Sequence, residues 1–132
     1  MRKSIVTTGV LLILTSIILG AFGAHALEKV IKDVNRLHSF EVGVRYQMYG
    51  GIGLLLLGAL YDYFPFSLKL VYRLQTIGIL LFSLSIYGLV LTPLLGINLK
   101  MFFGPLTPIG GLLLIIGWVV LLVKHLKSKY NE

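Results

Sequence analysis

Three histidines, His25, His38 and His125, are the side chains of this sequence best suited to proton transfer or metal ligation near neutral pH. Their spacing argues against a shared site. His25 and His38 are thirteen residues apart, whereas two ligands on one helical face need an i, i+4 spacing. There is no cysteine, so thiolate nucleophiles, disulfides and cysteine-based zinc or iron sites are excluded. No nucleophile and base stand together, and there is no phosphate-binding loop. The sequence therefore predicts no catalytic residue, no metal and no cofactor, and the chain is not expected to be an enzyme. What remains is a candidate binding cluster: His25, with Glu28 three residues on to accept its hydrogen bond, and the consecutive Arg45, Tyr46 and Gln47.

The elements that must carry these residues are unusually apolar. Of 132 residues 57% are hydrophobic and 13% charged, against roughly 25% charged in ordinary soluble domains. From Ser4 to Ala24 no residue is formally charged; at about 1.5 Å per residue that stretch is about 31 Å long, enough to cross a hydrocarbon core. Three more apolar segments follow, at about 44–64, 74–92 and 106–123. The second ends at Tyr61-Asp62-Tyr63-Phe64-Pro65, tyrosines beside a charge and a proline that mark a membrane interface. Between the first two, Leu27, Val30, Ile31, Val34 and Leu37 recur at helical spacing while charges fill the other face. That pattern predicts an amphipathic interfacial helix over 27–38, with Ser39 capping the helix that follows. The expected fold is all-α: a four-helix transmembrane bundle with a short amphipathic interfacial helix between helices 1 and 2, forming a single domain over 1–132.

The net charge of +7 does not point to nucleic acid, because the lysines and arginines gather at segment ends rather than along one face. They suit lipid headgroups. With four crossings, Arg2, Lys3, Lys69, Arg73, Lys124, Lys127 and Lys129 share one side, and Lys29, Lys32, Arg36, Arg45 and Lys100 the other. Seven against five places both termini in the cytoplasm by the positive-inside rule, and the expected location is the cell membrane.

The stretch Gly20 to Val30, GAFGAHALEKV, admits two structural readings. Ala24-His25-Ala26 resembles a signal-peptidase site, but the uncharged run before it is longer than the 7–15 residues of a usual signal core, about twenty residues. The favoured reading is a packing face: Ser16, Gly20 and Ala24 recur every four residues, with Gly23 beside them. Small residues admit the close backbone approach that joins helices in lipid. Gly50, Gly51, Gly53 and Gly58 in the second segment, and Gly110, Gly111 and Gly117 in the fourth, suggest the same role. Tyr46, Gln47, Tyr49, Gln75, Thr76, Ser83 and Ser85 are expected to hydrogen-bond across helices. No acid lies within a span: Glu28, Asp33, Glu41 and Asp62 are all at segment ends. A small proton-coupled multidrug carrier, which also has four helices, needs such a carboxylate inside the membrane to exchange protons for cations.

Four ordered blocks resemble a known family. They are Gly20-Ala21-Phe22-Gly23-Ala24-His25-Ala26-Leu27; Val44-Arg45-Tyr46-Gln47-Met48-Tyr49; Phe82-Ser83-Leu84-Ser85-Ile86-Tyr87; and Gly104-Pro105-Leu106-Thr107-Pro108-Ile109-Gly110-Gly111 with Gly117-Trp118. The chain resembles, over nearly its whole length, the YwdK and YgdD type of uncharacterised small membrane proteins, which have small eukaryotic transmembrane relatives. The resemblance implies a four-helix integral membrane protein and brings no biochemical activity. Two departures stand out: Gly50 where the family pattern has a histidine, and Leu84 where it has a glycine.

The leading functional expectation is a multi-pass membrane protein acting through helix packing and contact with membrane lipids, a homo-oligomeric copy or another membrane protein. One alternative is a small carrier or channel using His25, Arg45, Tyr46 and Gln47. Another is an accessory subunit of a membrane complex.

Overall fold

The structure, a computed structural model, describes residues 1–128; Lys129 lies outside the described residues. Four long helices form it: α1 (Arg2–Phe22), α3 (Val34–Ala59), α4 (Lys69–Leu91) and α5 (Lys100–Lys127), with a three-residue α2 (Glu28–Val30) after α1. A π-helical turn at Gly23–Leu27 joins α1 to α2, and 3-10 turns at Tyr61–Tyr63 and Thr92–Leu95 follow α3 and α4. There is no strand among the described residues. The predicted all-α four-helix bundle is what forms.

Among the described residues three helical stretches, Arg2–Val30, Lys69–Leu95 and Lys100–Lys127, are long and apolar enough to cross a membrane. The exception is α3. Its 26 residues reach about 39 Å, but Arg45, Tyr46, Gln47 and Tyr49 interrupt its apolar run. It is sheltered instead: α1 packs on one side of it and α4 on the other, while α5 packs on α4.

The helix boundaries differ from the sequence reading in instructive ways. Residues 27–38 do not make one surface helix. The chain is helical to Val30, extended from Ile31 to Asp33, and helical again from Val34. The cause is burial: Leu27 and Ile31 turn into a core with Phe40, Ile86, Tyr87 and Val90, while Val30 and Val34 stay exposed. One apolar stripe is thus divided between protein and surroundings. Asp33, not Ser39, caps α3, its carboxylate accepting the Asn35 N–H at 2.9 Å. Ser39 lies inside the helix and donates to the Asn35 carbonyl. At the other end of the chain α5 begins at Lys100 and runs through Pro105 and Pro108; the Ser85–Thr107 hydroxyl pair, 2.7 Å apart, holds this stretch against α4.

Backbones meet where glycines allow it. A Cβ on Gly9 would lie 2.8 Å from the Leu55 nitrogen and 2.9 Å from the Gly51 oxygen, so α1 and α3 touch main chain to main chain. On the opposite flank a Cβ on Gly110 would run into the Phe82 nitrogen, and one on Gly78 would lie 3.0 Å from the Leu114 nitrogen. A second core fills the end near the N-terminus, built from Ile5, Leu12, Leu54, Leu57, Leu68, Val71 and Ile79.

Candidate functional site

The block that opens the family resemblance, Gly20 to Leu27, is where α1 changes to the wider π turn, a geometry rare in helices and found mostly as single turns. Gly23 permits it to close over Phe40, whose ring carbon would stand 2.8 Å from an added Cβ. The Phe40 ring in turn packs at a tilt against Tyr87, centroids 5.1 Å apart. Beside this turn, between α1 and α3, lies a groove of about 480 Å³. Gly20, Gly23, Phe40, Val44 and Met48 form its half-buried to buried lining, and Glu28, Glu41, Arg45 and Tyr49 its exposed rim. Glu41 and Arg45 are one helical turn apart, the spacing at which opposite charges usually pair. They do not: the ion pair among the described residues is Arg2 with Asp62, at the far end.

The expected polar cluster is not assembled. Consecutive helical residues point about 100° apart, so Arg45, Tyr46 and Gln47 go to three places. Arg45 stands on the groove rim. Tyr46 turns towards α4 and packs its ring at a tilt against Phe82, 5.0 Å between centroids, and edge-on to Tyr49 at 6.1 Å. Gln47 is buried. Its Nε2 donates to the Leu12 carbonyl at 3.1 Å and to Thr15 Oγ1 at 2.6 Å, and its Oε1 accepts the Tyr87 hydroxyl at 2.8 Å. Every polar atom of that amide is thereby bonded within the bundle. His25 is exposed. No hydrogen bond joins it to Arg45, Tyr46 or Gln47 among the described residues, and the expected bond to Glu28 does not form either.

The packing residues fare better. Ser16 is buried, donating to the Ile13 carbonyl at 2.8 Å and approaching Met48 Sδ at 3.6 Å. Gly20 lies against Val44 and Gly50 against Ile79, while a Cβ on Gly117 would meet Gln75 Nε2 at 2.7 Å. Gly23 and Gly110 make the close contacts already described, and Ala24 is exposed on the groove. Of the expected interhelical bonds, Gln75 donates to the Leu114 carbonyl at 3.1 Å and Ser83 to the Gly43 carbonyl at 2.8 Å. Thr76 Oγ1 is buried without a partner. The residues missed were Gly9, Thr15 and Gly43, while Tyr87 stood out only as part of the third family block, with no partner assigned. Gly9 stands seven residues before Ser16, two turns along the same stripe, and that spacing could have found it.

On the other side of α3 a second, basic cleft opens between α3, α4 and the start of α5. It comprises two cavities, of about 490 Å³ and 720 Å³, which share Arg36, Ser39 and Leu89.

The family model described as a protein of unknown function, DUF423, matches residues 19–111. A UPF0382 membrane protein of Staphylococcus haemolyticus is 36% identical over 125 residues, covering 95% of this chain and 97% of the relative. The UPF0382 membrane protein YwdK of Bacillus subtilis is 35% identical over 127 residues, 95% of this chain and 98% of its own. This chain belongs to the DUF423 family. The family extends to a UPF0382 membrane protein of Schizosaccharomyces pombe, 38% identical over 110 residues, 83% of this chain and 91% of that one. No solved structure matches. The DUF423 match spans the π turn, the groove, Gln47 and the basic cleft, and leaves out most of α1 and the second half of α5. The chain is thus a membrane protein of an uncharacterised family, in contact with lipids along its apolar helices.

Proposed function

We propose that this DUF423 protein is a non-enzymatic, multi-pass protein of the cell membrane that acts by lateral contact with an amphiphilic membrane component in the groove beside the π turn. The observation that carries this reading is the groove itself. Among the described residues Glu28, Glu41 and Arg45 stand unpaired above an apolar lining of Phe40, Val44 and Met48. Charge above and hydrocarbon below suits a lipid or the interfacial end of a partner helix, including one from a second copy of the chain. Buried polar groups favour contact over transport, because Gln47, Gln75 and Ser83 spend their bonds on neighbouring helices. Both termini are assigned to the cytoplasm, with Arg2, Lys3, Lys69, Arg73, Lys124 and Lys127 at that end.

A photoreactive amino acid at Tyr49, compared with one at the exposed Ile115 of α5, tests the groove in native membranes. A discrete adduct at position 49 that is absent at 115 supports it. The same mixture of bulk lipids at both positions refutes it. Solute movement in proteoliposomes that disappears in Gln47→Leu, with folding intact, would establish the carrier reading instead.

A further inference from the structure

The basic cleft on the opposite side of α3 differs from the groove in its charge. Arg36, from the first turn of α3, lines both of its cavities. One guanidinium nitrogen donates to the Val90 carbonyl at the end of α4, 2.7 Å away, which anchors the side chain across the helix pair. A guanidinium has five N–H donors, so most remain for a ligand. Lys100, the first residue of α5, lines the outer cavity, and His38 the inner one. Among the described residues no aspartate or glutamate lines either cavity. At the start of this 28-residue helix the Asn98 side chain accepts the Lys100 N–H at 3.2 Å, and the positive end of the helix dipole adds to the same field.

Beside Arg36 and His38, the inner cavity has a largely hydrocarbon wall. Val42, Phe82, Ile86 and Leu89 line it, and the wall at Gly104 is open, with nothing within 4 Å of where a Cβ would sit. Along the membrane normal, cationic donors near the helix ends therefore pass into an apolar slot towards the bundle centre. A phosphate with acyl chains attached has that order of chemistry, and Arg engages phosphate oxygens through its planar fork.

We propose that this cleft binds an anionic glycerophospholipid, its phosphate between Arg36 and Lys100 and a chain against Phe82 and Ile86. The site lies in the leaflet that faces the α1–α3 and α4–α5 turns. It rests on the lipid-contact reading given above but on a different cleft, so each stands or falls separately. The α1–α3 groove does not compete for this ligand, since Glu28 and Glu41 accompany Arg45 there.

The test is native mass spectrometry of the full chain, titrated with phosphatidylglycerol, with phosphatidylcholine and with inorganic phosphate. One bound phosphatidylglycerol, held about tenfold or more tighter than phosphatidylcholine, is expected on the scale of two basic side chains near a lipid surface. Lys100→Gln carries little folding risk, because no side-chain bond of Lys100 would be lost. It should weaken phosphatidylglycerol about fivefold, and Arg36→Gln by more. Lys3→Gln, exposed at the N-terminal end of α1 and lining neither cleft, should leave it unchanged. Equal binding of the two lipids, or an unaltered preference in Lys100→Gln and Arg36→Gln, overturns the proposal. So does competition by inorganic phosphate at lipid-equivalent concentrations, which would make the site one for a free anion.

Discussion

Replacing Gln47 by leucine, close to it in volume but without its amide, tests the buried network most directly. Three hydrogen bonds disappear: those to the Leu12 carbonyl and Thr15 Oγ1 on α1, and the one from the Tyr87 hydroxyl on α4. Interhelical hydrogen bonds in membranes average about 0.6 kcal/mol and reach about 1.7, so their loss amounts to about 2 to 3 kcal/mol if they act independently. The Tyr87 hydroxyl is also stranded. Tyr87 is buried, and an unsatisfied buried hydroxyl adds about 1 kcal/mol or more. Gln47→Leu should therefore destabilise the bundle by about 3 kcal/mol. Reversible unfolding in mixed micelles, or steric trapping in bicelles, measures it. The companion is the double variant with Tyr87→Phe, which removes the stranded hydroxyl and should recover about 1 kcal/mol relative to the sum of the single changes. A Gln47→Leu protein as stable as the parent, or perfectly additive single changes, would show that the amide does not bind the three helices together.

Other substitutions probe the packing and the chain turns. Gly9→Ala drives a methyl into the backbone of Gly51 and Leu55 and should cost about 2 kcal/mol, whereas Gly104→Ala, which meets nothing, should leave the melting temperature in detergent unchanged or raised. Gly96 has φ +72°, so Gly96→Ala should lower stability by about 1 kcal/mol in the same thermal assay. Asp33→Ala removes the cap on Asn35 and should cost about 1 kcal/mol, with faster hydrogen exchange confined to the first turn of α3. Arg2→Ala should change stability by less than about 1 kcal/mol despite its 2.7 Å ion pair, because Arg2 and Asp62 are more than half exposed.

The apolar runs of α1, α4 and α5 were legible because hydrocarbon demands a long uncharged stretch, and the small residues at Ser16, Gly20, Gly23, Gly50 and Gly117 because close helices demand them. The start of α3 was not. Periodicity at Leu27, Val30, Ile31, Val34 and Leu37 reports an apolar stripe, yet it does not say whether lipid or protein covers it, and burial of Ile31 broke the helix there. The candidate cluster failed for a geometric reason. Arg45, Tyr46 and Gln47 are neighbours in sequence, but a helix sends neighbours to different faces, and only Arg45 reaches the groove. Arg36 was legible only as a charge, since its anchor, the Val90 carbonyl, lies 54 residues away.

The placement of α3 carries a consequence for biogenesis. Taken alone, this helix would bring an amide, an arginine and two tyrosines into the bilayer with little to offset them. Two of the three bonds to the Gln47 side chain come from α1, which leaves the ribosome first, so the hairpin of α1 and α3 is the smallest piece that satisfies the amide nitrogen. Its carbonyl waits for Tyr87, forty residues downstream. Insertion of the most polar helix is thus supported by a partner already made, and completed by one still to come.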